Sequence, residues 1–231
     1  HDGTDHDAKR HVGGAETAWA AEEESDNEIR IFFCAQKDGA FLFNKQAIDV
    51  TDGLAEEYGY TVQKQDHQGI DVDGPTVFDA LVAVHKQKYG DAFTKDTAQS
   101  YLTINSTGTL TRAFGSPATT TGFFVNGDFL NDGIEGTYGT TGYLIDTARL
   151  KDNDLVDFWF YQDTSYYMDY YTFFDKTQYA AKVNETFNLT LNGFMAMSAM
   201  GYTPTAAPIA GTDGEDTYIS AFLVNEDGDL S

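Results

Sequence analysis

Nine aromatic side chains fall within sixteen residues of this sequence: Trp159, Phe160, Tyr161, Tyr166, Tyr167, Tyr170, Tyr171, Phe173 and Phe174. Flat rings grip sugar faces and protein partners at small entropic cost, and tyrosine adds a hydroxyl handle. Strand alternation puts Trp159 and Tyr161 on one face and Phe158 and Phe160 on the other, and one of those faces must be core. Asp163 and Asp169 bracket Tyr166 and Tyr167, which predicts a solvated loop. The cluster has two uses open to it. It is either a binding face that includes Trp159, Tyr166, Tyr167 and Tyr170, or packing that closes a hairpin and braces the next domain.

Other residue types with chemical potential point to less. Cys34 is the single cysteine and sits in a run of β-formers, so it reads as a small buried hydrophobe and not as a reactive thiol. His85 lies near the apolar stripe of a predicted helix and reads as packed, not catalytic. No Cys/His spacing resembles a zinc site. His1, His6 and His11 recur beside Asp2, Asp5 and Asp7, as a metal-binding tract or a plain polar tail would. Asn225-Glu-Asp-Gly-Asp229 resembles the middle of a calcium loop, but Leu223 stands at its first ligand position and no twelfth-position Glu follows. A solvated turn is expected there, and also at Asp152 and Asp154. No cofactor is expected beyond a weak surface Ca2+ site, and no metal ligand is assigned. Nucleophile-elbow, Walker, dinucleotide and zinc-protease motifs are missing, so neither an enzyme nor a catalytic residue is expected.

The chain of 231 residues is 41% hydrophobic and 14% aromatic, enough for one large or two small domains with real cores. Against 37 acidic residues stand 14 Lys and Arg, a formal charge of -23. Such a surface repels phosphate backbones and anionic lipid, which argues against nucleic acid. No run reaches the roughly 20 apolar residues that span a bilayer, so no direct membrane insertion is expected. The absence of a disulfide framework in an acidic, Thr/Tyr/Asn/Gly-rich chain fits an exported protein of a Gram-positive anaerobe. No signal peptide opens the sequence, so the chain reads as mature or as part of a longer multidomain protein.

The elements that must position these residues follow from periodicity. Residues 1–28 are a polar, acidic, His-containing tail expected to be disordered. Ile29 to Ala35 reads as a strand, Lys37-Asp-Gly39 as a turn, and Ala40 to Thr51 as a return segment. After Gly74-Pro75, Thr76 is the N-cap of a helix with Asp79 at its third position. Val77, Leu81 and Val84, joined by Phe78 and His85, form its apolar stripe, and Gly90 ends it. Tyr101 to Asn105, Gly122 to Val125, Tyr143 to Ala148 and Leu155 to Tyr161 read as strands. Asn126-Gly127 reads as a tight turn, with a strand resuming at Phe129. Asn131 to Gly142 reads as a loop carrying Tyr138. Thr186 to Leu191 reads as a strand, Asn192-Gly193 as a turn, Pro204 to Gly214 as a loop, and Tyr218 to Val224 as a final strand. The expected class is mostly β (α+β), a sheet covered on one face by one main helix.

Val50-Thr-Asp-Gly53, Asp73-Gly-Pro-Thr-Val-Phe-Asp-Ala-Leu81, Gly122-Phe-Phe-Val-Asn-Gly127 and Leu150-Lys-Asp-Asn-Asp-Leu-Val-Asp-Phe-Trp-Phe160 resemble, in order and spacing, the transcobalamin C-terminal-like domain over roughly residues 29–174. The turn before the last strand departs from the family pattern, with Asp152-Asn-Asp154 where Asp-Gly-Asp is usual. The resemblance implies a β-grasp-like fold, often beside immunoglobulin-like repeats in wall-attached proteins of gut bacteria. Residues 175–231 then read as a partial immunoglobulin-like β unit, short of the strands that a full one needs. The expected function is a non-catalytic extracellular adhesion module of a bacterial cell surface. Its partner is a host or dietary glycan or glycoprotein, with a secreted immunoglobulin as one case. The rivals are corrinoid capture against loops near Asn126, Phe129 and Tyr138, and a structural spacer.

Overall fold

The computed structural model describes residues 28–66, 68–136, 139–176, 180, 182, 186, 188–200 and 205–209. Alternating side chains make Glu28–Lys37 (β1) and Ala40–Thr51 (β2) an antiparallel hairpin. Asp38 and Gly39 turn it with φ of 51° and 75°, the left-handed pair that an Asp-Gly hairpin turn requires. In chain order there follow α1 (Leu54–Glu57), α2 (Val77–Tyr89), β3 (Thr103–Ile104), β4 (Leu110–Ala113), β5 (Ser116–Pro117), β6 (Thr121–Val125), β7 (Asn131–Gly136), β8 (Gly139–Gly142), β9 (Leu155–Phe160), β10 (Tyr170–Phe174), β11 (Leu191–Met195) and β12 (Ala207–Pro208). The protein is mostly sheet with few helices.

The main sheet runs β2-β1-β9-β6, with β1 and β9 parallel and the outer pairs antiparallel. Ile31, Phe33, Val50, Val156 and Phe158 point from it into the core. Against this face lies α2. Thr76 accepts the Asp79 amide, while one Asp79 carboxylate oxygen accepts the Thr76 amide at 2.9 Å; the other oxygen takes the Ala55 amide at 2.9 Å. One buried carboxylate thus caps α2 and α1 together. The expected apolar stripe is too narrow, because every residue from Val77 to His85 is buried. The first turn of the helix is tied to the strap at 145–150, whose Ile145 and Ala148 carbonyls accept from the Phe78 and Val77 amides. Tyr60 packs on Phe78, and Phe114 in the β4–β5 turn packs on His85.

The second face of the main sheet carries Cys34, Phe124, Asp157 and Trp159. The small sheet β10-β11-β12 lies over it. Tyr171 sets its ring 4.8 Å from that of Phe124 and donates its hydroxyl to Asp157 at 2.7 Å.

Several expected elements fall differently. Tyr143 to Ala148 is not a strand: its amides close a turn on Leu144 and its carbonyls serve the start of α2. Asn131 to Gly142 is not a loop but the β7–β8 hairpin, so the strand resumes at Asn131 and not at Phe129. Of Tyr101 to Asn105 only Thr103–Ile104 is strand. The strand expected at 186–191 lies at Leu191–Met195, with Asn192-Gly193 inside it. A Cβ at Gly193 would stand 2.5 Å from the Ile209 side chain and 2.9 Å from the Tyr171 carbonyl, so glycine serves a close approach there and not a turn. The β10–β11 pairing spans the division expected at 174/175. Of the tail expected at 1–28, Glu28 already belongs to β1, while residues 1–27 with their histidine tract, Tyr138, the strand expected at 218–224 and the acidic run at 225–229 lie outside the described residues.

Candidate binding site

Two carboxylates organise the loop between β9 and β10. Asp169 accepts from the Gln162 amide at 2.6 Å and the Asp163 amide at 3.1 Å. Asp163 accepts from Ser165 at 3.0 Å, Tyr166 at 3.1 Å and Met168 at 3.3 Å. These amides, Tyr166 first, hold the Asp163 carboxyl below its ordinary pKa. Tyr167 adopts φ of 56° and donates its amide to the Asp163 carbonyl. The loop is solvated yet tied, and it displays Tyr166 at 76% exposure and Tyr170 at 62%.

Trp159 stands between two depressions and lines both. It pairs with Gly122 across β6 and β9, where a Cβ would sit 2.4 Å from the indole. The ring therefore lies flat on the neighbouring strand. In the same way Phe129 lies over Gly142, with 2.2 Å to where a Cβ would be. On one side of Trp159 is an apolar depression of about 250 Å3, lined by Phe129, Tyr161, Tyr167 and Met197. On the other is a more polar cleft of about 430 Å3, between the β1–β2 turn and the tied loop, lined by Gln36, Asp38, Gln162, Asp169 and Tyr170. At its floor, burial raises the Asp157 carboxyl's pKa, opposed by the Tyr171 hydrogen bond. Burial also pushes the Tyr161 hydroxyl, which lines the apolar depression, up to about 12.

No family model, curated protein or solved structure matches this chain. What the site can do therefore rests on its own geometry.

That geometry unites part of the expected set. Trp159, Tyr167 and Phe129 meet in the apolar depression, and Tyr170 reaches the polar cleft. Tyr166 stands at the loop tip and lines neither. Asn126 is committed elsewhere: its amide donates to Asp154 at 2.7 Å and its carbonyl oxygen accepts from the Leu155 amide at 2.9 Å, locking the β6 turn to β9. Tyr161, Met197 and Gly122 were not among the expected site residues. A glycine inside a strand is a sequence signal for close approach, which Gly122 fits; Met197 lies in the 3-10 helix Ala196–Met200, which carries no such signal. Among the described residues no group of three or more His, Cys, Asp or Glu side chains is placed to hold a metal ion. Cys34 is buried, and burial, then Asp157, pushes its thiol up to about 12. It is protonated at neutral pH. Among the described residues no helix is long and apolar enough to cross a membrane.

Proposed function

We propose that this chain is a non-catalytic extracellular binding module of a bacterial surface protein, engaging a host or dietary glycan or glycoprotein. The carboxylate-tied loop carries the reading. It holds Tyr166, Met168 and Tyr170 open to solvent beside the cleft at Trp159, and ordering exposed aromatics in advance reduces what a binding surface loses on association. The cleft offers what a sugar needs: ring faces for its C–H groups, and amide and carboxylate oxygens for its hydroxyls.

The β-grasp-like reading of the first unit draws support from topology. A hairpin, a helix, and a later strand inserted in parallel beside β1 give the order β2-β1-β9-β6. The immunoglobulin-like reading of the second unit rests on less, the two short strands β11 and β12 that it adds to β10.

The test is a binding screen of the chain against a glycan array, immobilised immunoglobulins and mucins, with cyanocobalamin in parallel. The expected result is a macromolecular hit that Tyr166→Ala/Tyr170→Ala weakens at least tenfold, since interface tyrosines rank among the costlier residues to truncate. Corrinoid binding alone, or silence across the panel, overturns the reading.

A further inference from the structure

The apolar depression beside Trp159 supports a different ligand, on grounds that do not depend on glycan binding. Trp159 and Tyr161 meet at 75° with ring centroids 5.7 Å apart, and Tyr161 and Tyr167 at 83° and 5.0 Å. Successive rings turn corners instead of stacking, and Phe123, Phe124, Phe129 and Met197 are among the other lining side chains. No lining side chain carries a charge.

We propose that this aromatic corner binds an organic cation, a methylated or quaternary ammonium group. Aromatic faces carry the negative lobe of the ring quadrupole and attract cations, and several rings around one centre add their effects. An uncharged lining disfavours a bare ammonium, which holds its water tightly; methyl groups on nitrogen lower that desolvation cost and match the apolar walls. The volume of about 250 Å3 is slightly below the usual range of small-ligand sites, about 300–1,000 Å3, which suits a compact head group and not an extended molecule.

Charge selects the same class. The chain carries -23 overall, and Asp163 and Asp169 belong to the loop that supplies Tyr167. Asp169 also acts electrostatically on the Tyr161 hydroxyl. A field of this sign concentrates cations and repels phosphate, sulfate and sialic acid groups. The walls are set in advance, because Gly122 lets the indole lie on β6 and Gly142 lets Phe129 lie on β8.

The probe is choline, set against 3,3-dimethylbutan-1-ol, its uncharged isostere. The chain has two tryptophans, Trp19 and Trp159, so the Trp19→Phe variant makes indole fluorescence report on the site alone. We expect saturable quenching by choline with an affinity about tenfold above that of the isostere. Tyr167→Leu should weaken choline at least fivefold while the circular dichroism spectrum stays native; if that variant loses its fold, Phe129→Leu takes its place. Equal affinity for the two probes marks a merely apolar hollow and overturns the proposal. So does the absence of a saturable signal in both fluorescence and calorimetry, or choline affinity unchanged in a folded variant.

Discussion

Both ring nitrogens of His85 are committed. Nδ1 donates to the Leu81 carbonyl at 2.7 Å, and Nε2 accepts the Phe114 amide at 2.8 Å, so the buried ring is held neutral in one tautomer. Phe114 itself sits at φ of 49° beside Gly115 at 74°, and its ring stacks on the imidazole at 4.4 Å. The histidine thus pins a hairpin turn onto α2. Burial lowers its pKa from 6.5 to about 4. A proton is therefore bound more readily by the unfolded chain, and the neutral ring's contribution is complete above pH 6.5. It is lost progressively as pH falls towards 4, by at most about 3 kcal/mol. His85→Leu leaves the Leu81 carbonyl and Phe114 amide without this partner and should cost about 2–4 kcal/mol at pH 7. Asp79 and Asp157, whose raised pKa values act in the opposite sense, are present in both proteins and cancel in the comparison. Urea unfolding at pH 7 and 4.5 should show a smaller loss of stability on acidification in His85→Leu than in the wild type. Parallel losses would rule out His85 as the titrating group.

At the scale of elements, the loop between β9 and β10 has its order concentrated in two side chains. Asp163→Ala removes the acceptor for the Ser165, Tyr166 and Met168 amides, and Asp169→Ala removes that for Gln162 and Asp163. Neither change touches the core, so melting temperatures should move little, whereas exchange of those amides should speed at least tenfold in the corresponding variant. Unchanged protection would mean that the loop is held by something other than its carboxylates. The sequence allowed this loop to be placed between Asp163 and Asp169, but not their hydrogen bonds to its amides, because spacing gives no side-chain direction. Elements with strong local signals were legible: the Asp38-Gly39 hairpin, the capped start of α2, and the alternation of β9 that separates Trp159 from Phe158. Elements fixed by contacts distant in sequence were not. Glycines conceal the pattern of β7 and β8, Gly193 mimics a turn while serving a close approach, and the apolar residues of 145–150 are buried by capping a helix. For the same reason Trp159 and Tyr167 could be named as candidates, while Phe129's convergence with them over Gly142 depends on tertiary placement.

The whole molecule depends on a junction between the main sheet and the sheet β10-β11-β12, and one polar contact lies at its centre. Tyr171 donates to Asp157 beneath β10, beside Cys34 on the parallel neighbour β1 and Phe124 on β6. A carboxylate on the middle of a sheet is tolerable under a second layer only when a donor meets it. Tyr171→Phe keeps the ring contacts with Phe124 and Phe194 and removes the donor. The variant should lose about 1–2 kcal/mol at pH 7, the cost of leaving a half-buried acceptor unmet. The pH dependence has a definite sign. Burial already raises the Asp157 pKa above 3.8, and losing the Tyr171 hydrogen bond, which lowers it, raises it further. The deficit of the variant should therefore shrink as falling pH protonates the carboxyl and grow as pH rises. Because the same contact presses the small sheet onto the face that holds Trp159, the loss should also reach the binding site. In the Trp19→Phe background, Trp159 emission should shift to the red in Tyr171→Phe at pH 7 and return towards the native wavelength as the pH is lowered. A red shift that ignores pH would assign the junction to ring packing alone, with Asp157 a bystander.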